Sequence, residues 1–238
     1  MGKPGGHARR GSVRLGAALL LAAVAGSAGL TQVITQGNGR ARTVALTFDA
    51  GADRGYAALI LTVLERSHLR ATFGMTGLWA RSNPDLTKRM ARDGDVLVNH
   101  TYDHRSFTGL STRTAPLSPP QRSWEIDAAD RIVRSLTHRS TKPYFRPPFG
   151  DYDPATLTQL RRLGYRYMVM WTLDSLGWEH LPATTILQRC LHGVAPGSIV
   201  LMHVGSQSQD AFALQPLIRG LQRRGYRFVT VPQLVAGH

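Results

Sequence analysis

Asp49 stands at the end of a run of apolar and β-prone residues, "TVALTF" (43–48), and is followed at once by Ala50 and Gly51; a second carboxylate, Asp53, comes four residues later. A strand that reads as buried and yet ends on a carboxylate suggests a group delivered to a site. The same pattern recurs. Asn99 and His100 follow "VLV" (96–98), Asp174 follows "YMVMWTL" (167–173), and His203 follows "GSIVLM" (197–202). His100 and His104, in "NHTYDH", are four residues apart. On one helical turn or in a tight loop both imidazoles can face one ion, and imidazole suits zinc and other first-row divalent metals; two unconnected loop histidines are the alternative. Arg146 opens "RPPFG". Its prolines stiffen the backbone and Gly150 admits an unusual dihedral. Such a loop can aim Arg146 at a carboxylate and leave a backbone N–H free for an oxyanion, although a plain turn with a surface arginine carries the same signature.

Bringing these residues together requires elements whose ends meet. Strand-like segments at 43–49, 71–76, 96–100, 167–174, 197–203 and 226–231, with a short strand breaking into a Pro-Pro turn over 144–153, alternate with helix-like segments at 56–67, 83–94, 122–137, 153–165, 182–194 and 211–225. Asn83, Pro84 and Gly94 supply a cap, a first-turn proline and a stop for one of these helices. Residues 105–120, rich in Gly, Ser, Thr and Pro, read as a long loop. Repeated β-then-α units imply a parallel sheet with helices outside it. The expected fold is α/β: a single domain over residues 43–238, forming a distorted or incomplete (β/α) barrel with about seven parallel strands. Such folds place active sites at the C-terminal ends of their strands, where Asp49, His100, Asp174 and His203 all stand.

The chain has 238 residues, 42% of them hydrophobic, and a formal net charge of +14. That length supports one sizeable core. The first 42 residues hold Lys3, Arg9, Arg10, Arg14, Arg40 and Arg42 and no acidic residue; without those six, 23 basic residues face 15 acidic ones, a balance of +8. A basic start followed by "LGAALLLAAVAGSAGL" (15–30) reads as an export signal, or as an N-terminal membrane anchor, over residues 1–30. Residues 31–42 read as a linker. In an exported protein the positive balance suits an anionic wall polymer or membrane surface; a nucleic-acid partner is not expected, because no aromatic-and-basic motif accompanies the charge. Cys190 is the lone cysteine, so an intrachain disulfide is ruled out, and its helical context makes it a small core residue.

In order along the chain, "TFDAG", "HTYDH", "RPPFG", "WTLDSLGW" and "LMH" resemble the five motifs of the NodB-homology polysaccharide deacetylases, carbohydrate esterase family four. The resemblance runs from about residue 43 to residue 231. It implies a distorted (β/α) barrel that removes N-acetyl, or in some cases O-acetyl, groups from amino sugars with a divalent metal, here Zn²⁺ with Co²⁺, Ni²⁺ or Mn²⁺ as alternatives. By resemblance, His100 and His104 bind the metal, Asp49 is the base that takes a proton from water, and His203 is the acid that protonates the departing amine. Arg146 holds the base, the Phe149 N–H supports the oxyanion, and Leu201 and Trp178 enclose the acetyl methyl group.

The chain departs from the family pattern twice. The family's first motif has a second Asp that ligates the metal, and here that residue is Ala50; Asp53 is near enough to replace it. In the fourth motif the residue before Trp178 is often acidic, and here it is Gly177; Asp174 remains as a carboxylate able to orient His203 and raise its pKa. The resulting expectation is an exported, metal-dependent deacetylase, extracellular or wall-associated, acting on an acetylated glycan such as peptidoglycan. A catalytically silent relative that binds wall glycans is the alternative raised by Ala50 and Gly177. A secreted phosphodiesterase is a weaker one, since the carboxylates of a two-metal site are lacking.

Overall fold

The computed structural model describes residues 1–2 and 29–237; the segment read as an export signal or anchor falls almost wholly outside them. Among these described residues, nine strands, β1 (Gln32–Ile34), β2 (Thr43–Ala50), β3 (Thr72–Met75), β4 (Val96–Asn99), β5 (Tyr144–Phe145), β6 (Tyr167–Val169), β7 (Leu173–Asp174), β8 (Ser198–His203) and β9 (Arg227–Phe228), form one sheet. Its order is β1-β6-β5-β4-β3-β2-β8-β7, with β9 beside the start of β2, and every strand pair is parallel. The sheet curls so that its two edges approach each other. Met170 N–H donates to Ile34 C=O on one edge, and two residues later Thr172 N–H donates to Ile199 C=O on the other. An isolated bridge between Gln36 and Ser198 adds to the closure. The result is the distorted (β/α) barrel expected from the sequence.

Two differences from the expected strand set come from this closure. The run 167–174 is not one strand: it splits into β6 and β7 because residues 170–172 cross from one sheet edge to the other. The segment read as a linker contributes β1, whose Val33 and Ile34 pair with Met168 and Val169, anchored by a hydrogen bond from Thr31 Oγ1 to Tyr165 C=O.

Among the described residues, eight α-helices cover the sheet: α1 (Ala57–Arg66), α2 (Gly77–Ser82), α3 (Pro84–Asp93), α4 (Pro119–Thr137), α5 (Pro154–Arg162), α6 (Ala183–Gly193), α7 (Asp210–Arg223) and α8 (Val231–Val235). Pro84 opens α3, and Gly94, at φ +87°, ends it in the left-handed region, as expected. Helix α4 begins three residues earlier than its apolar pattern suggested. Pro119 and Pro120 occupy its first turn, where N–H groups have no helical partner anyway, and Ser118 and Gln121 form a capping box. The last expected strand shrinks to β9, because Thr230 and Gln233 form another capping box at the start of α8 and Pro232 sits in its first turn.

β2 is the central strand and is buried throughout. Side chains alternate between the two faces of a strand. Val44, Leu46, Phe48 and Ala50 therefore enter the core under the helices, where Phe48 stacks on Phe73 with ring centroids 5.3 Å apart. Burying each of the Val44, Leu46 and Phe48 side chains is worth about 1.5–3 kcal/mol. Asp49 points to the other face, into the barrel mouth. The methyl group of Ala50 belongs to the outer core, on the opposite side of the strand.

Candidate active site

Asp49 sits opposite Gly74 of β3 and opposite His203 of β8 in the sheet register. Gly74 is small for a reason: a Cβ there would lie 2.3 Å from Asp49 Oδ1. Arg146 reaches the same carboxylate from the loop after β5, with Nη1 2.8 Å from Oδ1. Its guanidinium is almost wholly buried, and the rest of its fork is occupied: Nη2 donates to Thr47 Oγ1, and Nε and Nη2 donate to the carbonyls of Val169 and Met170. Burial alone would raise the Asp49 pKa. The Arg146 guanidinium, with His203 behind it, outweighs that and holds the carboxyl below the ordinary carboxylate value.

His100 follows the end of β4 and is buried. Its Nδ1 lies 2.9 Å from the carbonyl oxygen of Arg146. A carbonyl only accepts, so Nδ1 carries the proton and Nε2 presents a lone pair. That lone pair faces Asp49 Oδ2 at 3.3 Å, and Nε2 has no hydrogen-bond partner although it is buried. His104 packs edge-on against His100 with centroids 4.7 Å apart, and its other side meets Phe149 at 4.6 Å. Burial first, then the neighbouring His100, push His104 down to about 3, so it is neutral at ordinary pH. The turn that carries the pair is held by Asn99, whose Oδ1 accepts from Thr101 N–H and whose Nδ2 donates to Ile126 C=O and Tyr165 Oη.

Two neutral imidazoles and an orphaned buried nitrogen fit a first-row divalent ion. A backbone acceptor fixing the far nitrogen is the usual support for a ligating histidine. The fit ends at two nitrogens. Among the described residues, no group of three or more His, Cys, Asp or Glu is arranged to hold a metal. Asp53, the expected replacement for the ligand missing at Ala50, is tied elsewhere: its Oδ1 accepts from Ser206 N–H at 2.8 Å and its Oδ2 from the Ser206 hydroxyl.

His203 lies at the end of β8, its side chain about one-quarter exposed to the cavity. Burial would lower its pKa, but Asp210 first, with Asp49 and Asp174 behind it, raises it above the ordinary imidazole value. The carboxylate beside it is thus Asp210, at the start of α7, with Oδ2 3.7 Å from His203 Nδ1. Asp174 was expected in that place. Its Oδ1 instead accepts from Leu176 N–H and its Oδ2 from the Trp178 indole N–H, so it holds the Trp178 loop and reaches His203 only through its charge. Nothing in the residue pattern around "SQSQD" singles out Asp210; the one hint is that Gly177 takes an acidic position. Gly74 acts through the space it leaves to Asp49 and is equally silent in the sequence, whereas Asn99 stands out at its strand end and acts by holding the turn after it.

A cavity of about 580 Å³ joins these groups. Asp49, His104 and His203 line its base, Leu201 its wall, and Phe149 and Trp178 its half-exposed rim. Phe149 has a positive φ of 60°. The turn's own hydrogen bonds run from Gly150 and Asp151 N–H to the Pro147 and Pro148 carbonyls, leaving the Phe149 N–H outside them. A depressed carboxylate, an imidazole of raised pKa and a pair of imidazoles of lowered pKa around one hollow are suited to hydrolysis with separate proton acceptor and donor.

Comparison with known proteins identifies the family. The polysaccharide deacetylase family matches residues 36–168. The chain is 31% identical to the peptidoglycan-N-acetylmuramic acid deacetylase PdaA of Bacillus subtilis, over 84% of this chain and 73% of that protein. It is 30% identical to a chitooligosaccharide deacetylase of a Bradyrhizobium species, over 81% and 90% of the two. Among solved structures, a peptidoglycan N-acetylglucosamine deacetylase superposes with a TM-score of 0.79 at 28% identity, covering 87% of this chain and 94% of that one. A family 4 carbohydrate esterase pseudoenzyme from Bacillus anthracis superposes with a TM-score of 0.76 at 25% identity, covering 85% and 68%. Its fold, its ordered motifs and these relatives agree: the chain belongs to the polysaccharide deacetylase family.

Proposed function

We propose that the protein is an exported, metal-dependent hydrolase that removes N-acetyl, or O-acetyl, groups from amino-sugar polymers, with cell-wall peptidoglycan as the substrate. One observation carries this reading: adjacent strand ends bring together Asp49, which Arg146 holds below the ordinary carboxylate value, and His203, which Asp210 raises above the ordinary imidazole value, beside the His100 and His104 imidazoles. A divalent ion seated on His100 and His104, Zn²⁺ or one of its first-row neighbours, would supply polarisation of the acetyl carbonyl and a more acidic water. Asp49 takes the proton of the water that adds to that carbonyl. The Phe149 N–H donates to the developing oxyanion. His203 gives its proton to the sugar nitrogen as the C–N bond breaks, releasing acetate and a free amine. Leu201 and Trp178 surround the methyl group. Export rests on the basic and apolar segment at residues 1–30, and the wall substrate on the +8 balance of the remaining chain and on the activities named for the relatives.

A second reading is favoured by Ala50 and by the binding of Asp53 to Ser206: a silent relative that holds wall glycans without hydrolysing them. Purified protein, stripped with chelator and reloaded with Zn²⁺ or Co²⁺, is expected to release acetate from N-acetylated peptidoglycan fragments or chitooligosaccharides. Glycan binding without acetate release under any divalent metal would replace the first reading by the second.

A further inference from the structure

We propose that Asp210 is the positioning residue that holds His203 as proton donor, and that residue 177 is glycine because the Asp210 carboxylate occupies the volume its side chain would need. The proposal rests on the deacetylase reading of this site and concerns which segment of the chain supplies the carboxylate.

Steric exclusion is the first support. A Cβ on Gly177 would lie 2.4 Å from Asp210 Oδ2 and 2.3 Å from Ser208 Oγ, distances that no packed structure tolerates. Residue 177 and residue 210 therefore compete for one position, approached from the β7 side and from α7 respectively. The backbone at 177 is not in the left-handed region, so conformation alone does not require glycine there. Space does.

The second support is how firmly Asp210 is held. It is fully buried. Its Oδ2 accepts from His203 N–H at 2.8 Å, from Ser208 Oγ at 2.8 Å and from Ser175 Oγ at 3.1 Å. Ser175 Oγ in turn accepts from Gly177 N–H. A carboxylate fixed by three donors cannot drift from the imidazole it faces.

The third support is a pair of unfilled valences. Asp210 Oδ1 and His203 Nδ1 are both buried and both without a hydrogen-bond partner. An orphaned acceptor and an orphaned ring nitrogen on neighbouring groups are complementary: Nδ1 lies 3.7 Å from Oδ2, beyond hydrogen-bond distance, and Oδ1 is the carboxylate oxygen with a free valence to take it. With Nδ1–H donated to Asp210, Nε2–H is left to face the cavity. Three carboxylates act on His203: Asp210 from α7, Asp49 from β2 and Asp174 from β7. Asp49 is committed to Arg146, and Asp174 to Leu176 and Trp178. Asp210 alone is free to take Nδ1–H. A purely structural role, tying residues 203–210 together, would leave the titration of His203 unchanged.

The test uses the full chain labelled with ¹³C/¹⁵N-histidine, in Asp210→Asn, Gly177→Asp and Gly177→Asp/Asp210→Ala forms. His203 resonances are assigned with His203→Gln. Asp210→Asn keeps an acceptor for His203 N–H and removes the charge. The His203 pKa is expected to fall by about one unit or more. For acetate release, the basic limb of the pH profile should move down by the same amount, with kcat near neutrality about 10- to 100-fold lower and KM within about twofold of wild type. Gly177→Asp alone should reproduce the loss, because two carboxylates meet in one volume. The double variant should return the His203 pKa to within about half a unit of wild type. An Asp210→Asn shift below about 0.3 units, or a double variant whose His203 titrates as in Gly177→Asp, overturns the proposal. Should Asp210→Asn not fold, the double variant against wild type decides in the same way. If wild type itself releases no acetate, the functional reading falls, while the NMR titrations still uphold or overturn the Asp210–His203 pairing.

Discussion

Replacing Arg146 by Met removes the counter-charge of a carboxylate whose side chain is only 10% exposed. Asp49 loses a 2.8 Å donor, and Thr47 Oγ1 and the carbonyls of Val169 and Met170 lose theirs. Removing one partner of a buried pair costs about 3–5 kcal/mol, since the other charge is stranded. Asp49→Asn strands the guanidinium in the same way. In Asp49→Asn/Arg146→Met no charge is stranded, and what remains is the loss of donors to the carbonyls, about 1–3 kcal/mol. The cycle should therefore show a coupling of about 3 kcal/mol or more. Urea denaturation of the four proteins at pH 7, in chelator, measures it. Acid supplies an independent check. The folded-state pKa of Asp49 is depressed, so its stabilising contribution is present above the unfolded value of 3.8 and is lost as pH falls through the folded value. In Arg146→Met the opposing guanidinium is gone, burial raises the Asp49 pKa, and the stranded carboxylate is relieved by protonation at a higher pH. The gap between wild type and Arg146→Met should then close as pH falls from 7 to 3. A coupling below about 0.5 kcal/mol, or a gap that does not depend on pH, would refute the claim that Arg146 keeps Asp49 ionised.

Asp95, 5% exposed, accepts from Ala71 N–H, and burial pushes its pKa up to about 7. Raised above the unfolded value, it contributes fully below about pH 4 and loses that contribution as pH rises to about 7; Asp95→Asn should match wild type in acid and exceed it at pH 8 by up to about 4 kcal/mol in thermal or urea melts. Gly74→Ala places a methyl group 2.3 Å from Asp49 Oδ1, and acetate release is expected to fall at least about 10-fold, with destabilisation of about 1–3 kcal/mol. For the metal, isothermal titration of stripped protein with Zn²⁺ should show His100→Ala and His104→Ala weakening binding by at least about 10-fold. Asp53→Ala should stay within about twofold of wild type, because its carboxylate belongs to Ser206; equal losses in all three would move Asp53 into the ligand set.

The strand-end residues were legible in the sequence because an apolar run that stops on Asp49, His100 or His203 breaks the logic of burial in a way that spacing alone reveals. Arg146 was legible because two prolines after it announce a fixed turn. Other residues were not legible, for separate physical reasons. Asp210 reaches His203 across a loop and from the first turn of a helix, where an acidic residue is ordinary on dipole grounds. Gly74 has its effect through the volume it leaves to Asp49, which depends on strand pairing and not on its own neighbours. β1 was hidden because three residues between polar flanks carry too little pattern, and its pairing with β6 supplies what local propensity does not. The break between β6 and β7 is a property of barrel closure, which no single segment encodes.

Parallel strands lie about 4.8 Å apart, so register partners such as Asp49 and His203 feel each other's charge, and outer groups decide which of them holds a proton. Arg146, Asp49, His203 and Asp210 form a line of alternating sign, with each inner group beside an outer partner that stabilises its charged form. Arg146 lowers the affinity of Asp49 for the proton, and Asp210 raises that of His203, so the proton resides on the imidazole and the carboxylate stays free to accept another from water. Taken together, the four charges nearly cancel, which is why burying them at the barrel mouth is tolerable. The two outer groups act on opposite limbs of one pH profile. Loss of Arg146 raises the acid limb, loss of Asp210 lowers the basic limb, and a chain lacking both should keep only a narrow band of pH in which base and acid are simultaneously in their working forms.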